Sequence, residues 1–505
     1  MSGRIQYWIP TVIFLISFYF HLILMSKGPV TVDCLNLVIQ SQSTIETHHL
    51  QYLFGSGYPL MVLLGSVFIT IGKYLGITDP VTTVNFISVL LGSIAIPVFY
   101  LLVQRICNDA LTSVLASFIL LFNPLFLDAC SYGINHAPAL CFLLLGLLSL
   151  LRFQTSENAA ALMISALYFG LMGAVRLQDF ILAFPAIACL FILNLQESPN
   201  RHNKHKGAYF FLFITMISLI IILFHLPYFF CDHTGYAAQA KDFWKIGLSE
   251  NFRGLFSKPL IRSLSYLTAA FSLVGIVCFG AGLLLMAKFN KKLLAFVMLW
   301  GIVPLGFYGD IITSAPRFLN ILLPAVIIPI SVVLAHMLRH KRMLWRLVAM
   351  ISSLLIILIP LFYTHQTFIR RHHYALIPDY YRWVGQLTAP DATIISSDDS
   401  VFITYYSKRN TLLRPVGIRH LSPNELNGFK NKLDTILKNK KPVYITNSAF
   451  ILYDHYHEFS DLMQKNYHLI QIGKMPLELW YITPFNPQLH MSSLIKVEKK
   501  GLKTF

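Results

Sequence analysis

Long apolar runs separated by short polar stretches fill the first three-quarters of the chain. They fall at 7–25, 59–76, 84–103, 110–126, 137–151, 159–175, 180–195, 208–229, 264–287, 293–308, 318–338 and 347–363. Many reach the roughly 20 residues that a helix needs to cross a bilayer. The first is too long for a signal-peptide core and lacks a small-residue cleavage site, so it is expected to remain as a span. After residue 363 the pattern changes. Apolar runs shrink to strand length at 392–396, 442–446 and 468–472, and helical patterns lie between them at 400–408, 423–438 and 457–466. Strand and helix in alternation predict a small α/β domain with a mainly parallel sheet.

The basic residues test which runs cross. The run 59–76 is short, opens on Gly57-Tyr58-Pro59 and is interrupted by Gly65, Gly72, Lys73 and Gly76. With that run as a membrane-surface or re-entrant helix, Arg4, Arg105, Arg152, the 201–206 cluster, Lys288, Lys291, Lys292, Arg339, Lys341, Arg342 and Arg346 share one side. That is the positive-inside pattern. It predicts a polytopic α-helical membrane protein of about eleven transmembrane helices, with the N-terminus cytoplasmic and the C-terminal domain extracytoplasmic. The domains are then 1–363, a transmembrane part with a large first outer loop at 26–83, and 364–505, an extracytoplasmic α/β domain.

Composition agrees with a membrane class: the 505 residues are 55% apolar, 14% aromatic and only 12% charged. The net charge of +17 has no nucleic-acid motif beside it. Lysines and arginines at cytoplasmic span ends and a basic tail domain account for it. Seven cysteines in no repeated spacing argue against a zinc site or a disulfide framework. Cys34, Cys130 and Cys231 on the outer side leave room for one bridge. The tail has no glycine-rich phosphate loop, so nucleotide binding there is unsupported.

The chemistry gathers at the outer span ends, which carry Asp33, Asp128, Asn135, His136, Arg176, Gln178, Asp179, Asp232, Asp310 and Arg317. Mid-membrane charges, which a transporter needs for substrate or coupling ion, are scarce. Polar groups at one interface instead suit a reaction on a lipid headgroup whose tail stays in the bilayer. A lipid-phosphate leaving group wants arginine, which binds phosphate with two N–H groups at once. An acceptor hydroxyl or amine wants a carboxylate base. Asp33 is the candidate base, and Arg317, Arg176, His136 and Asp179 are candidate substrate-binding residues. Arg176 serves equally as an ion-pair partner of Asp179, and His136 as a neutral structural histidine. The adjacent His48 and His49 are a weak metal signal.

In layout and in a series of short motifs the chain resembles the membrane glycosyltransferases of the glycosyltransferase C superfamily, nearest to protein O-mannosyltransferases and lipid A aminoarabinose transferases. The motifs are Thr31-Val32-Asp33-Cys34-Leu35 after the first span, Gly57-Tyr58-Pro59-Leu60 opening a surface helix, and Asn123-Pro124-Leu125-Phe126-Leu127 at an outer boundary. Gly170-Leu171-Met172-Gly173-Ala174-Val175-Arg176 follows, and Pro316-Arg317-Phe318 leads into a span containing Pro324. The resemblance implies inverting transfer of a sugar from a polyprenyl-phosphate carrier on the extracytoplasmic face. Asp33 would activate the acceptor and an outer arginine would hold the carrier phosphate. Two departures stand out: Cys34 follows Asp33 where relatives often have Asp-Glu, and Gly133-Ile134-Asn135-His136 occupies a loop where relatives often have an acid. The resemblance fixes no cofactor: a lipid-phosphate-linked sugar is the donor substrate, and the pattern leaves room for a divalent metal. Expected partners are the polyprenyl-phosphate sugar, an acceptor that is lipid, glycan or protein, and membrane lipids. A non-catalytic scaffold subunit with this fold, or a lipid or solute transporter, is the alternative.

Overall fold

The computed structural model describes residues 5–54, 57–156, 158–193, 206–230, 241, 258–310, 315–397, 399–415, 420–446, 448–451, 456–477 and 490–500. Residues 201–205 of the basic cluster, Cys231 and Asp232 lie outside the described residues, as does the side chain of Asp310. The chain divides into two compact units. One holds Met1–Met25 and Leu37–His365, and the other holds Ser26–Asn36 and Gln366–Phe505.

The first unit is a helical bundle. Its early helices are α1 (Ile5–Leu24), α2 (Val32–Thr47, shared with the other unit), α3 (Pro59–Tyr74), α4 (Pro80–Cys107) and α5 (Ala110–Leu121). Next come α6 (Pro124–Cys130), α7 (His136–Ser156), α8 (Ala159–Val175), α9 (Leu177–Leu193) and α10 (Lys206–Phe230). The helices Lys258–Phe289, Lys291–Asp310, Leu323–Leu338 and Met343–Ile369 complete it. Among the described residues seven helices are long and apolar enough to cross a membrane, or eight if the bent pair α5 and α6 forms one span. Four more apolar helices, within α1, α3, α8 and α9, are shorter than 18 residues. This is an integral, multi-pass membrane protein.

Burial separates core helices from lipid-facing ones. The most apolar stretch of Pro316–Leu338 is 89% buried, whereas that of Gly207–Tyr228 is only 11% buried. Phe211, Leu219, Leu223 and Phe230 accordingly stand exposed on α10, an arrangement that is stable only where hydrocarbon replaces water.

Proline and asparagine punctuation sets the helix boundaries. Asp79 caps α4 by accepting from the Val81 and Thr82 amides, with Pro80 at the first helical position. The run expected as one segment at 110–126 is broken: α5 and α6 meet at 63°. Pro124 has no N–H to continue the first helix, and Asn123 before it is extended. Asn123 then serves two breaks. Its Oδ1 accepts from Leu125 N at 3.1 Å, and its Nδ2 donates to the Ala270 carbonyl at 3.2 Å. That carbonyl lies beside a second break, where Ser272 takes φ 60° and ψ 168° inside Lys258–Phe289. The side-chain amide thus ties the α5–α6 break to the backbone beside the second one.

The second unit carries a five-stranded sheet of β1 (Thr393–Ser396), β2 (Asn410–Leu413), β3 (Val443–Thr446), β4 (Tyr467–Leu477) and β5 (His490–Lys499). Their spatial order is β2-β1-β3-β5-β4. β1 pairs in parallel with β2 and β3, Ile394 facing Thr411 and Tyr444. β5 runs antiparallel to both β3 and β4, with Val497 opposite Val443 and Leu469. The sheet is therefore mixed, not mainly parallel. Periodicity locates strands but carries no signal for the direction of a neighbour. The core joins Ile395, Val443 and Ile445 to Phe429, Leu433, Phe459 and Met463. The helix Pro423–Lys438 matches the expected bounds and opens on a capping box of Ser422 and Glu425. The segment 26–36 is tied to this unit: Lys27 N donates to the Arg371 carbonyl at 3.0 Å. A Cβ on Gly28 would stand 2.1 Å from the Tyr374 carbonyl oxygen, so only glycine fits.

Candidate functional site

Four helix ends, of α7, α8, α9 and Lys291–Asp310, and one 3₁₀ turn of the membrane unit bring polar side chains together. α8 ends at Val175, Arg176 leaves the helix with φ −159° and ψ 87°, and α9 begins at once. The Arg176 amide still reaches the Met172 carbonyl at 2.7 Å, and its own carbonyl accepts from Phe180 N at 3.2 Å. The backbone thus stays satisfied through the joint. Asp179 sits in the first turn of α9, where the helix dipole favours a carboxylate and the i,i+3 spacing puts it beside Arg176.

Arg176 and Asp179 form an ion pair with Nε and Oδ1 2.8 Å apart, their side chains 4% and 2% exposed. The Nε–H is not aligned on that oxygen, so the contact is electrostatic and the guanidinium's hydrogen bonds go elsewhere. Nη1 donates to Asn135 Oδ1 at 3.2 Å and Nη2 to the Tyr308 hydroxyl at 3.4 Å. Tyr308, fully buried in Lys291–Asp310, donates its own hydroxyl to Asp179 Oδ1. Two ions and a phenol therefore close a ring of contacts, and burying such a pair in an apolar bundle requires this degree of satisfaction.

The Phe318 ring lies against this network. It stacks on Tyr308 with centroids 5.3 Å apart and 20° between planes, and the Arg176 guanidinium lies 5.2 Å from its centroid. His136 meets it at 5.5 Å, and Arg317 holds its guanidinium 5.6 Å from the same ring. Arg317 and Phe318 sit on the 3₁₀ segment Pro316–Leu322, pinned from two sides. Asn320 Nδ2 donates to the Leu125 carbonyl at 3.2 Å, and Trp300 Nε1 donates to the Ile321 carbonyl at 2.8 Å. Arg317 is half-buried, so of the two arginines it is the less enclosed.

His136 opens α7 and is 2% exposed, within the field of Arg176 and Arg317. Its Nδ1 has no hydrogen-bond partner among the described residues. The strap before it is fixed to α4: Gly133 N donates to Asn85 Oδ1 at 2.7 Å and Ile134 N to Ser88 Oγ at 3.2 Å. Tyr58 is buried with a left-handed backbone, φ 49° and ψ 50°, immediately before Pro59. Its phenol is among the groups acting on the Arg176 charge, and a strained non-glycine residue of this kind is a mark of functional sites.

The structure thus gathers four of the expected residues: His136, Arg176 and Arg317 around the Phe318 ring, and Asp179 beside Arg176 and Tyr308. Asp33, half-buried in the first turn of α2, belongs to the other unit. Tyr308 was not singled out from the sequence, because an uncharged aromatic at a span end looks like any interfacial tyrosine. His48 and His49 are exposed at the end of α2. Among the described residues no three His, Cys, Asp or Glu side chains gather as a metal would need. Cys34 and Cys130 are free thiols, and Cys231 lies outside the described residues.

In sequence, residues 61–228 match the model of the dolichyl-phosphate-mannose-protein mannosyltransferase family. No curated protein matches the chain. In structure, the whole chain aligns with the whole of ArnT from Cupriavidus metallidurans, solved bound to undecaprenyl phosphate, at TM-score 0.59 and 11% identity. An oligosaccharyltransferase from Archaeoglobus fulgidus aligns over 93% of this chain and 74% of its own, at TM-score 0.58 and 13% identity. The mycobacterial arabinofuranosyltransferase AftD aligns over 99% of this chain and 40% of its own, at TM-score 0.55 and 13% identity.

Proposed function

We propose, for a chain with the fold of the glycosyltransferase C superfamily and a mannosyltransferase-like sequence over residues 61–228, the transfer of a sugar from a polyprenyl-phosphate carrier to an acceptor. The observation that carries this function is the half-buried Arg317 seated on Phe318 beside the buried Arg176, Asp179 and Tyr308. A guanidinium on a braced platform at a span end suits the phosphate of a lipid whose tail remains in the bilayer. Undecaprenyl phosphate bound to ArnT supports the same ligand chemistry.

In this scheme Arg317 binds the carrier phosphate, while Arg176, already held by Asp179, Asn135 and Tyr308, positions the platform. His136 offers its Nδ1 for a ligand hydrogen bond. Asp33, taken from its place in the chain and the family resemblance, accepts the acceptor's proton. The acceptor oxygen or nitrogen attacks the anomeric carbon as the bond from that carbon to the phosphate oxygen breaks, inverting the centre. The proton passes to Asp33 and the charge of the departing polyprenyl phosphate is met by Arg317. The topology that goes with this scheme has about eleven spans, the N-terminus cytoplasmic and the transfer face and C-terminal domain extracytoplasmic.

The test is sugar transfer in membranes from radiolabelled polyprenyl-phosphate sugars, comparing wild type with Asp33→Asn and Arg317→Gln. Asp33→Asn keeps size and polarity and removes the base, so transfer should fall roughly a hundredfold or more. Arg317→Gln should weaken use of the carrier by a comparable factor. Full transfer by Asp33→Asn would assign the base elsewhere, and no transfer by wild type from any common sugar would favour a scaffold subunit.

A further inference from the structure

A second site lies at the other end of the membrane unit's helices. Leu293 and Tyr308 belong to one helix, and fifteen residues of helix separate them by roughly 22 Å. Tyr308 is part of the Phe318 cluster, whereas Leu293 lines a cavity of ≈ 290 Å³. The stretch Pro316–Leu338 likewise runs from Arg317 to the residue before Arg339, another lining residue.

The cavity is two-faced. Ile106, Leu285, Met286, Leu293 and Val332 give it apolar walls, while Asp109, Asn290, His336 and Arg339 supply polar groups. Asp109 caps α5, accepting from Leu111 N at 3.2 Å and Thr112 N at 3.3 Å, and it also accepts from the Thr112 hydroxyl and from Arg339 Nη2. Burial acts to raise the Asp109 carboxyl, but the hydrogen bonds from Arg339 and Thr112 outweigh it and hold it below the usual range. The capped carboxylate fixes one corner of the Arg339 guanidinium. The Arg339 side chain is 56% exposed, and the Asp109 contact is its one hydrogen bond among the described residues. Its remaining N–H groups are available at the mouth.

The neighbouring charge is one-signed. Lys288, Lys291 and Lys292 flank Asn290, and Lys341, Arg342 and Arg346 follow Arg339. Asp109 is the single acidic group among the lining residues. An apolar wall with a cationic mouth fits an acyl chain joined to a phosphate; a soluble anion would leave the wall without a partner. The separation from the Phe318 cluster also keeps this site apart from a carrier phosphate held there.

We propose that this cavity binds an anionic glycerophospholipid from the leaflet opposite the Phe318 cluster, its phosphate on Arg339 and one acyl chain against Leu285, Leu293 and Val332. The site stands whether or not the chain transfers sugar.

The experiment reconstitutes the full chain in nanodiscs of phosphatidylcholine with a minority of phosphatidylglycerol and counts retained lipids by native mass spectrometry. Wild type should keep one phosphatidylglycerol at about tenfold or more above its share: both lipids offer a phosphate to Arg339, but only phosphatidylcholine adds a cation that the surrounding lysines and arginines repel. Arg339→Gln leaves Asp109 capping α5 and should abolish the preference. Val332→Phe, which places a ring in the cavity from a half-buried wall position, should do the same. Retention of both lipids in proportion to their abundance overturns the proposal, and that comparison needs no variant. So does a preference unchanged in both variants, or displacement of phosphatidylglycerol by polyprenyl phosphate at equal amounts.

Discussion

Removing the carboxylate of Asp179 leaves the Arg176 guanidinium a buried charge without its counter-ion. Both side chains have left water, at 4% and 2% exposure with 2.8 Å between them. Desolvation costs several kcal/mol per ion, so deleting one partner of such a pair destabilises by about 3–5 kcal/mol. Asp179→Ala also strips the Tyr308 hydroxyl of its acceptor, which adds about 1 kcal/mol and places that variant at the upper end. Asp179→Asn retains an oxygen for Tyr308 and belongs at the lower end. Removing both charges with Arg176→Met and Asp179→Leu should recover most of the loss, since an apolar pair of similar volume carries no desolvation cost. The readout is denaturant unfolding of the purified protein in detergent for all variants, assembled as a double-mutant cycle. A coupling energy of about 2 kcal/mol or more is expected between the two positions. Transfer should remain low in the double variant despite its recovered stability, because the platform under Phe318 and Arg317 has changed. Asp179→Ala within about 1 kcal/mol of wild type would refute the buried pair, as would strictly additive single effects.

Two further outcomes follow from packing and charge. A Cβ on Gly282 would stand 2.2 Å from the Pro329 carbonyl oxygen. That contact is with backbone and cannot rotate away, so Gly282→Ala should push apart Lys258–Phe289 and Leu323–Leu338 and cost about 2 kcal/mol or more in the same unfolding assay. In the C-terminal unit burial acts to raise the Asp434 carboxyl, but hydrogen bonds from Lys499 and Tyr467, each at 3.0 Å, together with the Lys499 and Lys430 charges, hold it below the usual range. A depressed carboxyl stabilises the fold above its unfolded value near 4, and the contribution is lost as pH falls through the lower folded value. Asp434→Asn should therefore cost about 0.5–1 kcal/mol at neutral pH, and the difference should vanish in acid. Hydrogen exchange of β5 in the full chain, followed against pH, measures it.

The sequence by itself determined the membrane class, the mixed helix and strand character of the tail and the order of the superfamily-like motifs. These depend on local composition and periodicity: a run of about 20 apolar residues has one stable solution in lipid. It also placed His136, Arg176, Asp179 and Arg317 at span ends, because charges next to apolar runs stand out. Tertiary structure alone decided which of them meet. Asn135, Arg176, Tyr308 and Phe318 come from four separate stretches of the chain, and no local pattern encodes the ring of contacts among them. The same holds for the difference between the two arginines. Arg176 is enclosed by Asp179 and Tyr308, and Arg317 is raised on a turn that Asn320 and Trp300 hold in place. The antiparallel insertion of β5 between β3 and β4 was hidden for a related reason. A strand's side-chain alternation is set by its own residues, but its direction and neighbours are set by hydrogen bonds to residues far away in the chain.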